Sequence, residues 1–257
     1  MEIFGNYARY YNLLYRDKNY VGEAKFIHQL LKKYAPNARS ILELGCGTGT
    51  LALLLIKEGY HVRGVDLSAA MLQQACEQLS QLPLDLKGKL AFSQGDIRAI
   101  RLEQQFDAII SVFHVLSYQT TNEDLAAVFA TIKAHLKPGG VFIFDCWYGP
   151  TVLSERPTVK VKRLEDKEIR ITRIAEPMMY PNHNWVDVNY QVFIEDKNTG
   201  VVEEVQENHR MRYLFKPEID QLLIKSNLGL ICSGEWITNR ELGFDTWGAY
   251  FVSRREG

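Results

Sequence analysis

The chain has 257 residues, is 46% hydrophobic and carries a formal net charge of −1, enough to bury one large core as a single domain or as a domain with a substantial insertion. That near-neutral balance offers no basic surface for nucleic acid or an anionic membrane, and no apolar run approaches the roughly 18 residues needed to span a bilayer. The N-terminus, Met1-Glu2-Ile3-Phe4-Gly5-Asn6-Tyr7, lacks the basic-then-apolar pattern of a secretory leader, so the expectation is a soluble, cytoplasmic protein, monomer or homodimer. Cys46, Cys76, Cys146 and Cys232 lie far apart with no Cys-x-x-Cys pair, which fits reduced thiols. The histidines show no ligand spacing, and no metal is expected.

Five tyrosines fall in the first 20 residues. Tyr7, Tyr11 and Tyr15, four apart, suit an amphipathic helix docked on a sheet. Residues 20 to 35 predict a helix stopped by Pro36. Ile41-Leu42-Glu43-Leu44-Gly45-Cys46-Gly47-Thr48-Gly49 then reads as a strand feeding a helix through a turn that some ligand approaches closely. A dinucleotide fingerprint would place its third glycine at position 50, which is Thr50, whereas here it is Gly49. Glu43 would repel a pyrophosphate, but suits a ligand bearing a sulfonium and an amino group.

His61 to Asp66 predicts a second strand, and Ser68 caps a helix carrying Met71, Leu72, Ala75 and Leu79. Leu90 to Gln94 and Phe106 to Phe113 predict strands three and four. Residues 123 to 136 form a helix closed by the turn Lys137-Pro138-Gly139-Gly140, and Val141 to Asp145 is strand five. Alternating strands and helices predict a doubly wound α/β sheet. From about 155 to 215 the pattern alternates polar and apolar, predicting an antiparallel insert of three or four strands. A helix over 217 to 228 and strands at 234 to 237 and 249 to 252 end the chain.

Residues 1 to 150 resemble a class I S-adenosylmethionine-dependent methyltransferase. The resemblance rests on Glu43-Leu-Gly-Cys-Gly-Thr-Gly, Val65-Asp66-Leu67-Ser68, Gly95-Asp96-Ile97 and Leu136-Lys-Pro-Gly-Gly, in that order. Tyr7 to Tyr15, Tyr20, the Trp147-Tyr148 step and the strands after 155 are similar to N-methyltransferases that dimethylate nucleotide-linked amino sugars. The resemblance implies a seven-stranded, mostly parallel Rossmann-like sheet with a β insert between strands five and six. It divides the chain into a cofactor core with a tyrosine-rich lid (1–150), a substrate-binding insert (151–215) and a C-terminal helix and strands completing the sheet (216–257).

It implies S-adenosylmethionine as cofactor, with S-adenosylhomocysteine as product and no metal, and a small-molecule acceptor rather than nucleic acid or membrane. Gly45, Cys46 and Gly47 would pass the methionine portion beside Glu43, Asp66 would accept the ribose hydroxyls next to Leu67, and Asp96 would hold the adenine amino group. Met71, Ile97 and Val112 would flank the purine, and Tyr20 would close the cofactor site. His114, directly after the fourth strand, is the candidate general base and Tyr15 the second. Tyr11, Tyr15, Trp147, Tyr148 and Arg212 are candidate substrate contacts, with Arg210 beside them; His183 and His209 are not placed by the sequence, and His135 is assigned to the far end of the sheet. Cys46 is read as a small residue filling a tight turn. Two alternatives stay open: a small-molecule O-methyltransferase, or a protein that binds the cofactor without catalysis.

Overall fold

The computed structural model describes residues 8–257; Tyr7, the first of the spaced tyrosines, lies outside the described residues. The core begins with helices α1 (Ala8–Leu14) and α2 (Tyr20–Tyr34), followed by β1 (Ser40–Leu44), α3 (Thr50–Lys57), β2 (His61–Asp66), α4 (Ala69–Ser80), the short α5 (Leu84–Lys87), β3 (Leu90–Gln94) and β4 (Phe106–Ser111). A 3-10 turn (Val115–Tyr118), α6 (Asn122–His135), β5 (Leu136–Tyr148) and α7 (Gly149–Ser154) come next. Four strands form the insert: β6 (Lys160–Glu165), β7 (Ile169–Tyr180), β8 (Trp185–Asp196) and β9 (Val202–Leu214). Helix α8 (Lys216–Lys225) and strands β10 (Leu228–Glu235) and β11 (Gly248–Arg255) return to the core.

Among the described residues seven strands make the core sheet, in the order β3-β2-β1-β4-β5-β11-β10. The first five run parallel, and β11 enters antiparallel to β5. The expected seven-stranded, mostly parallel sheet is therefore what the chain builds. Its central strands are continuous apolar runs because both faces are covered. Ile41, Ala108, Ile110 and Ile143 face α2 and α3 with Ile27, Leu31, Leu55 and Ile56. Leu42, Leu44, Ile109 and Phe142 face α6 and α8 with Leu125, Phe129, Ile219 and Leu223. The alternation along β1, Ile41 to one layer and Leu42 to the other, is the period-two pleat expressed as two cores. Among the described residues no helix is long and apolar enough to cross a membrane.

The insert is an antiparallel meander, β6-β7-β8-β9. It joins the core where β9 runs parallel to the end of β5, pairing Trp147 with Tyr213 and Tyr148 with Leu214. Its inner face, with Ile171, Val192, Ile194 and Val205, closes over α1 (Tyr10, Tyr11, Leu14) and Met71. Of the spaced tyrosines, Tyr11 lies in α1 and Tyr15 directly follows it, and the helix docks under the insert.

Three sequence expectations shift. Lys137-Pro138-Gly139-Gly140 is a bulge at the start of β5 rather than a separate turn, because the register jumps from Phe106–Leu136 to Ala108–Val141 and Gly139 has φ 75°. The last helix stops at Lys225, where Asn227 turns left-handed (φ 58°), and β10 starts at Leu228. Ile237, expected in that strand, is itself left-handed (φ 68°) and lies beyond it. The short helices α5 and α7 carry too few periodic positions to be read from sequence.

Candidate active site

Open α/β sheets bind ligands beyond the carboxyl ends of their strands, and that end holds most of the motif residues. Gly45 (φ 79°), Gly47 (φ 54°) and Gly49 (φ 75°) are all left-handed, a conformation in which glycine bears no Cβ penalty. The loop is anchored by Gly45 and Cys46 N–H groups donating to the Val65 carbonyl at 2.8 and 3.0 Å. The Gly47 N–H donates to Asp66 Oδ2 at 2.7 Å, and the Ser68 N–H to Asp66 Oδ1 at 2.9 Å. Asp66 is thereby fixed at the end of β2 with a lone pair on each oxygen still to give. Burial raises its carboxyl above the usual range, and the amide donors oppose the rise. Cys46 is buried, its thiol pushed well up by burial and by Glu43 and Asp66. Such a thiol is a packing group rather than a nucleophile.

Glu43 closes the inner wall. It is 3% exposed, its Oε2 has no hydrogen-bond partner, and its carboxyl is pushed up to about 8 by burial and by Asp66, against the pull of Lys18. An orphaned, buried acid oxygen is costly unless a positive ligand group completes it. Glu43 and the glycine loop share a cavity with Tyr11, Tyr20, Val112 and Phe113. Within it the Lys18 ammonium lies 3.9 Å from the centre of the Phe113 ring and 4.3 Å from that of Tyr20, and pairs with Glu23. A cation on two aromatic faces beside an acid demonstrates the charge preference of this wall. Burial, chiefly, pushes the Tyr20 hydroxyl up to about 12, so it is a neutral donor at any physiological pH. Lys18, Glu23 and Phe113 were missed from sequence; a lysine between two tyrosines carries no motif signal. A second cavity, between Ser40, His61, Arg63 and Lys89, lies at the opposite end of the sheet and meets none of the motif residues.

The adenine-side residues are more dispersed. Leu67 is exposed (61%). Met71 lies in the cluster under the insert, Ile97 in the α6 layer and Val112 in the α2–α3 layer. Asp96 is engaged by its own neighbour: Arg98 Nε lies 3.0 Å from both carboxylate oxygens, and Arg98 bridges on to Asp124 at 2.8 Å. That pairing holds the Asp96 carboxyl low. A ligand amine would share Asp96 with Arg98.

Directly after β4 the chain does something no sequence pattern announced. Phe113 and His114 are consecutive non-glycine residues in the left-handed region, φ 65° and 63°. Each costs of order 1–2 kcal/mol, and such strain persists only where its surroundings enforce it. The enforcing group is Asp145, 1% exposed at the end of β5. Its Oδ1 accepts the His114 N–H at 2.8 Å, and its Oδ2 lies 2.9 Å from His114 Nδ1, an electrostatic contact without hydrogen-bond alignment. The ring stays 27% exposed, with Phe113 at 5.9 Å and Trp147 at 6.4 Å between centroids. Tyr15 meets Phe113 edge-on at 5.1 Å and Tyr11 at 4.6 Å. Trp147 also packs on Trp247 at 6.2 Å. Tyr148 lies half-buried against the α6 layer, its hydroxyl raised by burial.

Arg212, expected at the substrate, makes structural pairs of its own. Its guanidinium is buried, pairs with Glu218 and donates to Asn122 Oδ1 at 2.7 Å. It ties the insert to α8 and to the start of α6, while its Nε is buried without a hydrogen-bond partner. Arg210 forms a two-pronged pair with Asp187 at 2.6 and 2.7 Å and lies over Trp185 at 4.6 Å. His183 stacks on Trp185 at the exposed end of the insert. His135, at the far end as expected, bonds the Thr131 carbonyl and the Leu102 N–H. His209 is buried inside the insert and bonds Tyr118. Among the described residues no group of His, Cys, Asp and Glu is arranged to hold a metal ion.

A family profile described as a methyltransferase domain matches residues 41–140. The dTDP-3-amino-3,4,6-trideoxy-alpha-D-glucopyranose N,N-dimethyltransferase of Streptomyces venezuelae is 36% identical over 199 residues, 76% of this chain and 79% of that one. Streptomyces venezuelae DesVI superposes with a TM-score of 0.80 at 26% identity over 96% of this chain and 97% of its own. CalS10, an amino pentose methyltransferase from Micromonospora echinaspora with S-adenosylmethionine bound, shares the fold at a TM-score of 0.75 and 23% identity, over 99% and 98% of the two chains. The chain belongs to the class I S-adenosylmethionine-dependent methyltransferases, and S-adenosylmethionine is its cofactor.

Proposed function

We propose that the chain methylates the amine of a nucleotide-linked amino sugar, with His114 as the acceptor-side base. The observation that carries this reading is the strained Phe113-His114 pair held against the buried Asp145. Strain stored where a cofactor wall meets a histidine–carboxylate pair supports a functional demand. The relative from Streptomyces venezuelae, named for such a sugar, supports the acceptor class. We assign cofactor contacts to Tyr20, Glu43, Gly45, Cys46, Gly47, Asp66, Leu67, Met71, Asp96, Ile97 and Val112, and acceptor contacts to Tyr11, Tyr15, Trp147 and Tyr148.

When bound, the cofactor supplies a methyl carbon activated by a positive sulfur. The chain's own share is alignment, exclusion of water and proton removal. Glu43 and the rings of Tyr20 and Phe113 offer the cationic portion a compatible wall. Asp66 offers two fixed acceptors for the ribose hydroxyls. An amine reacts only when unprotonated, so His114 takes its proton while Asp145 balances the imidazolium. The contact of Tyr15 with Phe113 supports a role for it between cofactor and acceptor.

Mass spectrometry of reactions with dTDP-3-amino-3,4,6-trideoxyglucose and its 3-hydroxy counterpart tests the reading. Added methyl groups on the amine, with none on the hydroxyl analogue, are expected. His114→Ala is expected to lower the rate about 100-fold, the scale of general-base catalysis. Methylation of the hydroxyl compound alone would overturn the amine assignment, and a full rate in His114→Ala would remove the base.

A further inference from the structure

The strained turn at 113–114 is restrained within itself and just beyond. Within it, Asp145 fixes His114. Downstream, the Trp147 N–H donates to Ser117 Oγ at 3.0 Å, and Tyr118, the last residue of the 3-10 turn, reaches across to the insert, its hydroxyl 2.8 Å from His209 Nδ1. His209 Nε2 lies 2.9 Å from Glu207, whose side chain is 9% exposed, and the Tyr190 ring stands edge-on to the imidazole at 4.9 Å.

These polar residues occupy unexpected positions. The inward side chains of β9 run Val205, Glu207, His209, Met211, and the flanking Val205 and Met211 belong to apolar clusters. A histidine and a glutamate on an apolar inner face carry a desolvation cost that apolar residues would not. What they provide is direction: a hydrogen-bonded chain fixes one rotamer of Tyr118 where a leucine would fill space without orienting it.

We propose that His209, backed by Glu207, is a positioning residue that holds Tyr118 and thereby the strained turn, so that the insert aims His114. The inference rests on His114 as the acceptor-side base. Glu207 and His209 act on His114 through Tyr118. The insert, on this view, sets the geometry of the core site as well as covering it.

The variants are Tyr118→Phe, which deletes one oxygen, His209→Leu, and His209→Asn, whose side-chain carbonyl can still accept from Tyr118. The first readout needs no acceptor: the Cε1–H nuclear magnetic resonance signal of His114. It is expected to shift and broaden in Tyr118→Phe and His209→Leu and to stay near the wild-type position in His209→Asn. The second is turnover of dTDP-3-amino-3,4,6-trideoxyglucose. A roughly 10-fold fall in kcat is expected for Tyr118→Phe with the Kd for S-adenosylmethionine unchanged, and no further fall when His114 is already alanine. An unmoved His114 signal in Tyr118→Phe, or an equal loss with and without His114, would overturn the proposal. Failure of the wild-type chain to methylate that sugar would overturn the acceptor assignment, while the His114 signal still decides the positioning.

Discussion

At the scale of single residues, two acids in the same wall are held in different electrostatic states. Asp66 accepts backbone amides on both oxygens, whereas Glu43 is buried with one oxygen unmet. Removing Asp66 leaves the Gly47 and Ser68 N–H groups without their acceptor as well as deleting the carboxylate proposed for the ribose hydroxyls, so Asp66→Ala is expected to weaken cofactor binding about 100-fold or more by calorimetry, the scale of a lost charge-assisted pair. Glu43, near 8 when folded, stands above its unfolded value of about 4.3. Between those values the folded chain holds a proton that the unfolded chain has released, so stability falls as pH rises through that window. Glu43→Gln is expected to flatten that fall in urea melts. Because a cationic ligand favours the carboxylate, cofactor binding near pH 7 is expected to release close to one proton, read by calorimetry in two buffers and absent in Glu43→Gln.

At the scale of elements, the glycine loop and the turn after β4 are one mechanical unit. A Cβ on Gly45 would lie 2.5 Å from a methyl of Val115, the first residue of the 3-10 turn. The motif glycine thus serves the close approach of the loop that follows the neighbouring strand β4. Gly45→Ala forces both a left-handed alanine and a clash beside His114, and is expected to cost about 2–4 kcal/mol in urea denaturation. Alanine at Gly47, where a Cβ would meet nothing within 4 Å, carries the backbone cost alone and is expected to be milder. The difference between the two melts checks that the crowding at Val115 is real.

At the scale of the whole molecule, the insert and the core are coupled through a short strand junction, two apolar clusters and a few polar links. Besides His209–Tyr118, the Trp185 indole donates to the Thr120 carbonyl at 2.9 Å, and Arg212 ties β9 to α8 and to Asn122. Arg212→Ala leaves Glu218 and Asn122 without their shared partner and is expected to cost about 3 kcal/mol. Thermal unfolding followed separately by tryptophan fluorescence and far-ultraviolet dichroism is expected to show loss of coincidence, with the insert loosening first.

Much of this was legible in one dimension. Apolar runs in β1, β4 and β5, the Ser68 cap and the odd glycine spacing follow from local rules, because a pleat, a helix cap and a left-handed turn are each decided within a few residues. They determined the doubly wound sheet, the place of the cofactor loop and the acids at 43 and 66. Only the tertiary structure decided that Arg212 ties β9 to α8, that Asp96 is shared with Arg98, that Lys18 lies on Phe113 and that His209 grips Tyr118. Those depend on which side chains meet across 90 or more positions of sequence, as Tyr118 and His209 do, or on which of several nearby partners a charge adopts. A charge or a ring in a sequence names a capacity; burial and the nearest opposite group settle what it is used for.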